Sequence, residues 1–179
     1  QMLQTWEERM GQFVSQACNK GVDFYDALTI ASLVAREAKA PKDRPKIAGV
    51  YWNRLDKKVY KGQTGGLMQA DPTVVYATDS MALEDLNVKQ WDDYVFWDLL
   101  GLSDYSTVDV DPQYASFQTY QNKGLPDWPI ATPTVASMKA ALNPATKSGN
   151  LFFYACPGSD THTFAKTSAQ HSRNIASCG

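Results

Sequence analysis

Between residues 3 and 18 the apolar positions fall three and four apart. Trp6, Met10, Phe13 and Val14 are separated by polar helix formers, a spacing that collects them on one helix face. It predicts a packed helix over Leu3–Cys18, broken by Gly21. Asp23 then stands at an N-cap position, with Asp26 three residues on, near the positive end of the next helix. That helix is expected from Phe24 to Lys39, stopping before Pro41. A third is expected from Pro45 to about Lys57, with Ile47, Val50, Tyr51 and Leu55 turned inward.

Beyond Val59 the pattern changes. Val59 to Asp71 is rich in Gly, Lys and Gln and includes Gly65-Gly66, which reads as an exposed loop. Asp71-Pro72-Thr73 looks like a turn opening a short helix, Val74–Ala77, with Pro72 at its first position. The acidic, aromatic stretch from Asp79 to Pro112 has no assignable period. Leu151–Ala155 (LFFYA), closed by Pro157-Gly158, reads as a buried strand, and a last helix is expected over Ser168–Ala176. Helices in the first half with strands and loops in the second predict one α+β domain spanning residues 1–179.

Composition narrows the function classes. The chain has 179 residues, 44% hydrophobic and 20% charged, enough to bury a sizeable core. A net charge of −2 gives no electrostatic case for nucleic acid. No stretch approaches the roughly 18–20 apolar residues of a membrane span. Gln1–Gln12 is polar and charged, unlike a signal peptide. The three cysteines, Cys18, Cys156 and Cys178, match no zinc spacing. One Cys156–Cys178 disulfide and three reduced thiols are both open readings, decided by redox compartment. His162 and His171 are too few for a catalytic zinc, which usually takes three protein ligands, so no metal is expected.

One position departs from the helical pattern. Ile30, Leu33, Val34 and Glu37 follow the i, i+3, i+4, i+7 rule of one face, so Glu37 continues an apolar stripe. Arg36 and Lys39 project from other faces as ordinary solvated charges. A carboxyl withdrawn from water resists ionisation, and its pKa climbs towards the range a general acid needs. The bland alternatives are that Glu37 bends out to solvent or pairs with an arginine such as Arg54.

Several segments taken together carry a resemblance. IASLVAREAKAPKDRPKIAGVYWNRL (Ile30–Leu55), MQADPTVVY (Met68–Tyr76), FQTYQNKGLPDWPIATP (Phe117–Pro133), ASMKAALNPA (Ala136–Ala145), and then LFFYA and His162-Thr163-Phe164 occur in the order seen in the YceG-like family, the endolytic murein transglycosylases (MltG). The family's catalytic glutamate falls on Glu37, and its frequent second glutamate, two positions earlier, is Ala35 here. Phe117 and Gln118 stand where the family usually has Tyr and Asn. Residues 81–114, with Trp91 and Trp97, form a longer central stretch that either packs or extends a sugar groove.

The resemblance implies a helical N-terminal half carrying the catalytic glutamate, packed with a small β-sheet and loops that form a glycan groove. It implies lytic cleavage of the N-acetylmuramic acid to N-acetylglucosamine bond of peptidoglycan, leaving 1,6-anhydromuramoyl ends, without a cofactor. Glu37 would be acid and then base. Gln69, Thr73, Tyr76, Gln118, Thr119, Tyr120 and His162 are the candidate glycan contacts. Asp71 either caps the helix behind Pro72 or faces the sugar as a second carboxylate. The expected partners are glycan strands and cell-wall synthesis enzymes at the extracytoplasmic face of the cytoplasmic membrane, with a membrane anchor and a LysM-like region outside this sequence. Two rivals remain. One is a glycan-binding module that does not cut. The other is an aminodeoxychorismate-type lyase, which would need a pyridoxal lysine and a phosphate cradle that are not evident.

Overall fold

The computed structural model describes residues 2–178. Its centre is helix α2, Phe24–Glu37, which starts where Asp23 Oδ1 accepts the backbone N–H groups of Tyr25 and Asp26 at 2.7 and 3.0 Å. Seven of its residues, Ala27 and Thr29 to Val34, are buried, because neighbours cover it on several sides. Helix α1 (Met2–Lys20) contributes Met10, Phe13 and Ala17 to that core. Helix α3 (Arg44–Leu55) contributes Ile47, Ala48 and Tyr51.

Two helices are shorter than expected and one is longer. Helix α2 ends at Glu37, two residues before the expected Lys39, and Ala38 leaves it in extended conformation. Helix α3 stops at Leu55, and Asp56 then caps a four-residue helix α4, Lys57–Tyr60, partly inside the expected loop. The helix expected over Val74–Ala77 runs as α5 from Asp71 to Glu84. It outlasts its apolar run because Asp79, on its buried face, is satisfied by the segment that follows. Asp79 accepts the Tyr94 hydroxyl at 2.8 Å and the Trp97 N–H at 3.1 Å. The rest of the central stretch is a chain of 3-10 turns over Val88–Asp93, Tyr105–Thr107 and Pro112–Phe117.

Helix α6, Val135–Leu142, packs against α2. Its run of small apolar residues has no amphipathic period to announce it. Opposite it, α3 approaches the chain after α6 so closely that a Cβ on Gly49 would sit 2.7 Å from the backbone carbon of Ala145. That contact requires glycine. Strand β1 (Phe152–Tyr154) pairs antiparallel with β2 (Thr163–Ala165), Phe153 opposite Phe164. Helix α7 (Ser168–Ala176) closes over this hairpin. Its end is bonded back to the strand exit through the Cys156–Cys178 disulfide, with Cα atoms 5.3 Å apart. Cys18 is free and exposed.

Candidate active site

Glu37 ends α2 in the wall of a pocket of about 300 Å³, lined by Arg36, Glu37, Lys39, Gln69, Asp71, Phe153, Tyr154, Ala155 and His162. Helix α2, the loop before α5 and the β-hairpin each form one wall. The stripe behind Glu37 is apolar and fully buried at Ile30, Leu33 and Val34, so its carboxyl faces the pocket with a dry helix at its back. The Tyr51 hydroxyl of α3 donates to Glu37 Oε1 at 3.1 Å.

The charges around Glu37 decide its protonation. Burial is the largest influence, and with the nearby negative charge of Asp71 it raises the pKa to about 7. The Tyr51 hydrogen bond and the positive charge of Arg54 pull the other way without winning. The carboxyl therefore titrates near neutrality, where it can both give and take a proton. Asp71 is also raised, mainly by burial, against the hydrogen bond from the Tyr120 hydroxyl and the charge of Arg54.

Arg54 lies beneath the site. It is 5% exposed, and it donates through Nε to the Leu151 carbonyl at 2.7 Å and through Nη1 to the carbonyls of Met68 and Gln69. One planar cation thus joins α3, the loop before α5 and the β1 segment. Gln69 adopts φ +46, an uncommon conformation for a residue other than glycine. It is held there from the other side by its N–H on the Thr119 carbonyl at 3.1 Å. Such strain at a pocket wall fits a side chain that must be presented in one direction.

The expected glycan contacts divide into two groups. Gln69, Asp71 and His162 line the pocket with Glu37, and Tyr120 reaches its edge through Asp71. Thr73, Gln118 and Thr119 do not, contrary to expectation: each is at most 1% exposed. Thr73 Oγ1 lies 2.9 Å from Thr119 Oγ1, which also accepts the Ala70 N–H at 3.1 Å. Gln118 Nε2 donates to the Tyr105 and Val108 carbonyls. These groups satisfy buried backbone and have none left for a sugar. Tyr76 is likewise diverted, its hydroxyl accepting the Trp128 indole N–H at 2.9 Å within an aromatic cluster. Asp71 does not cap α5 as an N-cap. Ala70 holds that position without a side-chain bond, and Asp71 is the first helical residue.

His162 is fixed by a residue that sequence reasoning missed. Asp43 Oδ2 accepts its backbone N–H at 2.8 Å and lies 3.3 Å from its Nδ1. Burial pushes the Asp43 carboxyl up, but these contacts and Lys46 hold it below its ordinary value. Asp43 reads as one more charge in a lysine-rich turn, so no local pattern marks it. Tyr51 was legible only as an inward residue, and Arg54 only as a salt-bridge partner that it turns out not to be. His171 stacks on Phe152, ring centroids 5.1 Å apart, and so anchors α7.

A neutral-range carboxyl on a dry helix end, a second carboxyl lining the same pocket and an oriented histidine form an arrangement that can give and take protons, on an α+β scaffold. The chain belongs to the YceG-like family, which matches residues 1–177. An endolytic murein transglycosylase of Bacillus subtilis (strain 168) is 32% identical over 172 residues, covering 96% of this chain and 39% of that protein. One from Streptococcus pneumoniae serotype 2 is 27% identical over 176 residues, covering 98% and 28%. A crystal structure of a yceG-like protein from Listeria monocytogenes has a TM-score of 0.69 at 28% identity, over 97% of this chain and 47% of that one. The chain therefore spans under half the length of each of these relatives.

Proposed function

We propose that this chain is the catalytic domain of a lytic transglycosylase that cuts peptidoglycan glycan strands endolytically, between N-acetylmuramic acid and N-acetylglucosamine. The observation that carries the reading is Glu37, a carboxyl raised to about 7 and open to the pocket. In the first step its proton passes to the glycosidic oxygen as the C1–O bond breaks. Positive charge then develops at C1, and Asp71, steadied by Tyr120, faces that charge across the pocket. In the second step the Glu37 carboxylate removes the proton from the sugar's own C6 hydroxyl, whose oxygen bonds to C1 and closes the 1,6-anhydro ring. Glu37 ends protonated as it began, and no water is consumed. An intramolecular nucleophile needs no second base and enjoys a high effective concentration.

The names of the relatives support this substrate class. The Cys156–Cys178 disulfide supports action outside the cytoplasm. That setting would bring the site to nascent strands beside the synthesis enzymes, at the outer face of the cytoplasmic membrane. Among the described residues no helix is long and apolar enough to cross a membrane.

The test is mass spectrometry of products from purified glycan strands, comparing the chain with Glu37→Gln. Anhydromuramoyl ends from the parent alone are expected. Reducing ends would mean hydrolysis, a second reading that Asp71 in the same pocket keeps open. Glycan bound but uncut by the parent would leave a binding module in place of an enzyme.

A further inference from the structure

The acid–base chemistry leaves one feature of the pocket without a task. Arg36 and Lys39 both line it, and neither side chain has an ion-pair or hydrogen-bond partner among the described residues. Arg36 is nevertheless held. Its guanidinium carbon lies 4.1 Å from the centroid of the Trp97 ring, and Trp97 is itself fixed. Trp97 is half-buried, sits at φ +66 and gives its N–H to Asp79 Oδ2 at 3.1 Å. Asp79 is 7% exposed and also accepts from Tyr94. An arginine stacked by one face on an indole keeps its N–H edge free. The otherwise exposed turns around Trp97 thus present a pre-organised fork of donors at the pocket rim, with a second cation beside it.

The same pocket is lined by Glu37 and Asp71, so an anionic substituent entering it would meet the Asp71 carboxylate, and that of Glu37 once its proton is given up, unless a cation offset them. Muramic acid differs from glucosamine by a 3-O-lactyl group. That group carries a carboxylate when bare, and a peptide with carboxylates of its own when substituted. We propose that Arg36, braced by Trp97 and assisted by Lys39, forms a carboxylate subsite that recognises the lactyl substituent of the muramic acid unit. This rests on the reading of the site as one that handles peptidoglycan. Arg36 is here a specificity residue, and Trp97 a positioning residue acting through it.

The test is equilibrium binding in a Glu37→Gln background, so that nothing is cleaved. Three probes are used: chitotetraose, which has no carboxylate, the peptide-free peptidoglycan tetrasaccharide, and the same tetrasaccharide bearing its peptides. A carboxylate-bearing probe should bind about 10-fold more tightly than chitotetraose, as a charge-assisted bidentate contact gives. Adding Arg36→Gln should bring that ratio close to one, and Trp97→Leu should lower it while leaving Arg36 in place. The ratio should also shrink as salt is raised from about 50 to about 500 mM. A gain already present with the peptide-free probe assigns the lactyl carboxylate, and one that needs the peptide assigns the peptide carboxylates. A preference that survives Arg36→Gln, or no preference for either charged probe, overturns the proposal. Failure of the cleavage reading shows separately, in the products of the parent chain, which this binding series does not use.

Discussion

The Tyr51 hydroxyl donates to Glu37 Oε1 at 3.1 Å from a side chain with no exposed surface. A donor aimed at a carboxylate favours its ionised form, so Tyr51 restrains a pKa that burial and Asp71 drive upward. Without that restraint Glu37 would hold its proton to higher pH. A general acid must be protonated to act, so the rate falls as pH rises through its pKa. Tyr51→Phe should therefore move the alkaline limb of the pH–rate profile to higher pH. The stability change should stay within about 1.5 kcal/mol, the scale of one hydrogen bond. A limb that stays in place or moves down would refute this role.

The same perturbation makes a thermodynamic statement. Glu37 has a folded-state pKa of about 7 against an ordinary 4.5, so the folded chain binds its proton more tightly than the unfolded chain does. The favourable contribution is fully present below pH 4.5 and is lost as pH rises to 7, a loss of about 3 kcal/mol at 1.36 kcal/mol per unit. Glu37→Gln is neutral at every pH. It should be close to the parent in stability at pH 4.5 and more stable than the parent by up to about 3 kcal/mol at pH 8. Urea unfolding at the two pH values reads the difference, and a gap that does not widen with pH would show that Glu37 is not perturbed.

What was legible in the sequence was whatever local periodicity or punctuation encodes. The Asp23 cap, the helical stripe ending at Glu37, the LFFYA strand and the last helix all came from nearest-neighbour pattern. Glu37 stood out because a carboxyl on an apolar stripe violates the pattern it belongs to. Its electrostatic surroundings were not legible. Tyr51 lies 14 residues away, Asp71 comes from another helix, and Asp43 and His162 are 119 positions apart. Thr73, Gln118 and Thr119 misled for the matching reason: polar residues in a recognisable motif serve buried backbone as readily as a ligand, and only the packing tells which. Arg36 and Lys39 looked like solvated charges because the ring that holds Arg36 comes from the one stretch without a period.

The Cys156–Cys178 bridge closes a loop of 22 positions that runs from just after β1 through His162, β2 and α7, and so ties down the wall that supplies Phe153, Tyr154 and His162 to the pocket. Loop closure of that length is worth about 3 kcal/mol by the chain-entropy relation. The Cys156→Ser, Cys178→Ser double variant should melt lower, and the parent with reductant should match it. Helix α7 should lose hydrogen-exchange protection first, since it holds the hairpin from outside and has no fully buried residue. Equal melting with and without reductant would mean that the bridge restrains nothing that folding does not already fix.

Asp71 and Tyr120 test the electrostatic part of the chemistry. Asp71 raises Glu37 through its charge, so Asp71→Asn should shift the alkaline limb to lower pH, opposite to Tyr51→Phe. Its amide oxygen can still accept from Tyr120, which keeps the wall in place and isolates the charge. If that charge offsets the positive charge developing at C1, its loss should lower kcat by about 100-fold, the usual scale for removing one preorganised electrostatic partner. The products should stay anhydro-ended, because the C6 hydroxyl is still the nucleophile. Tyr120→Phe removes only the bond that steadies the carboxylate and should cost less. If Asp71 were instead the base for a water, Asp71→Asn would suppress reducing ends in particular, and the product spectrum would change as well as the rate. A variant with the parent's rate and the parent's products would remove Asp71 from the mechanism altogether and leave Glu37 to act on the glycan without an electrostatic partner.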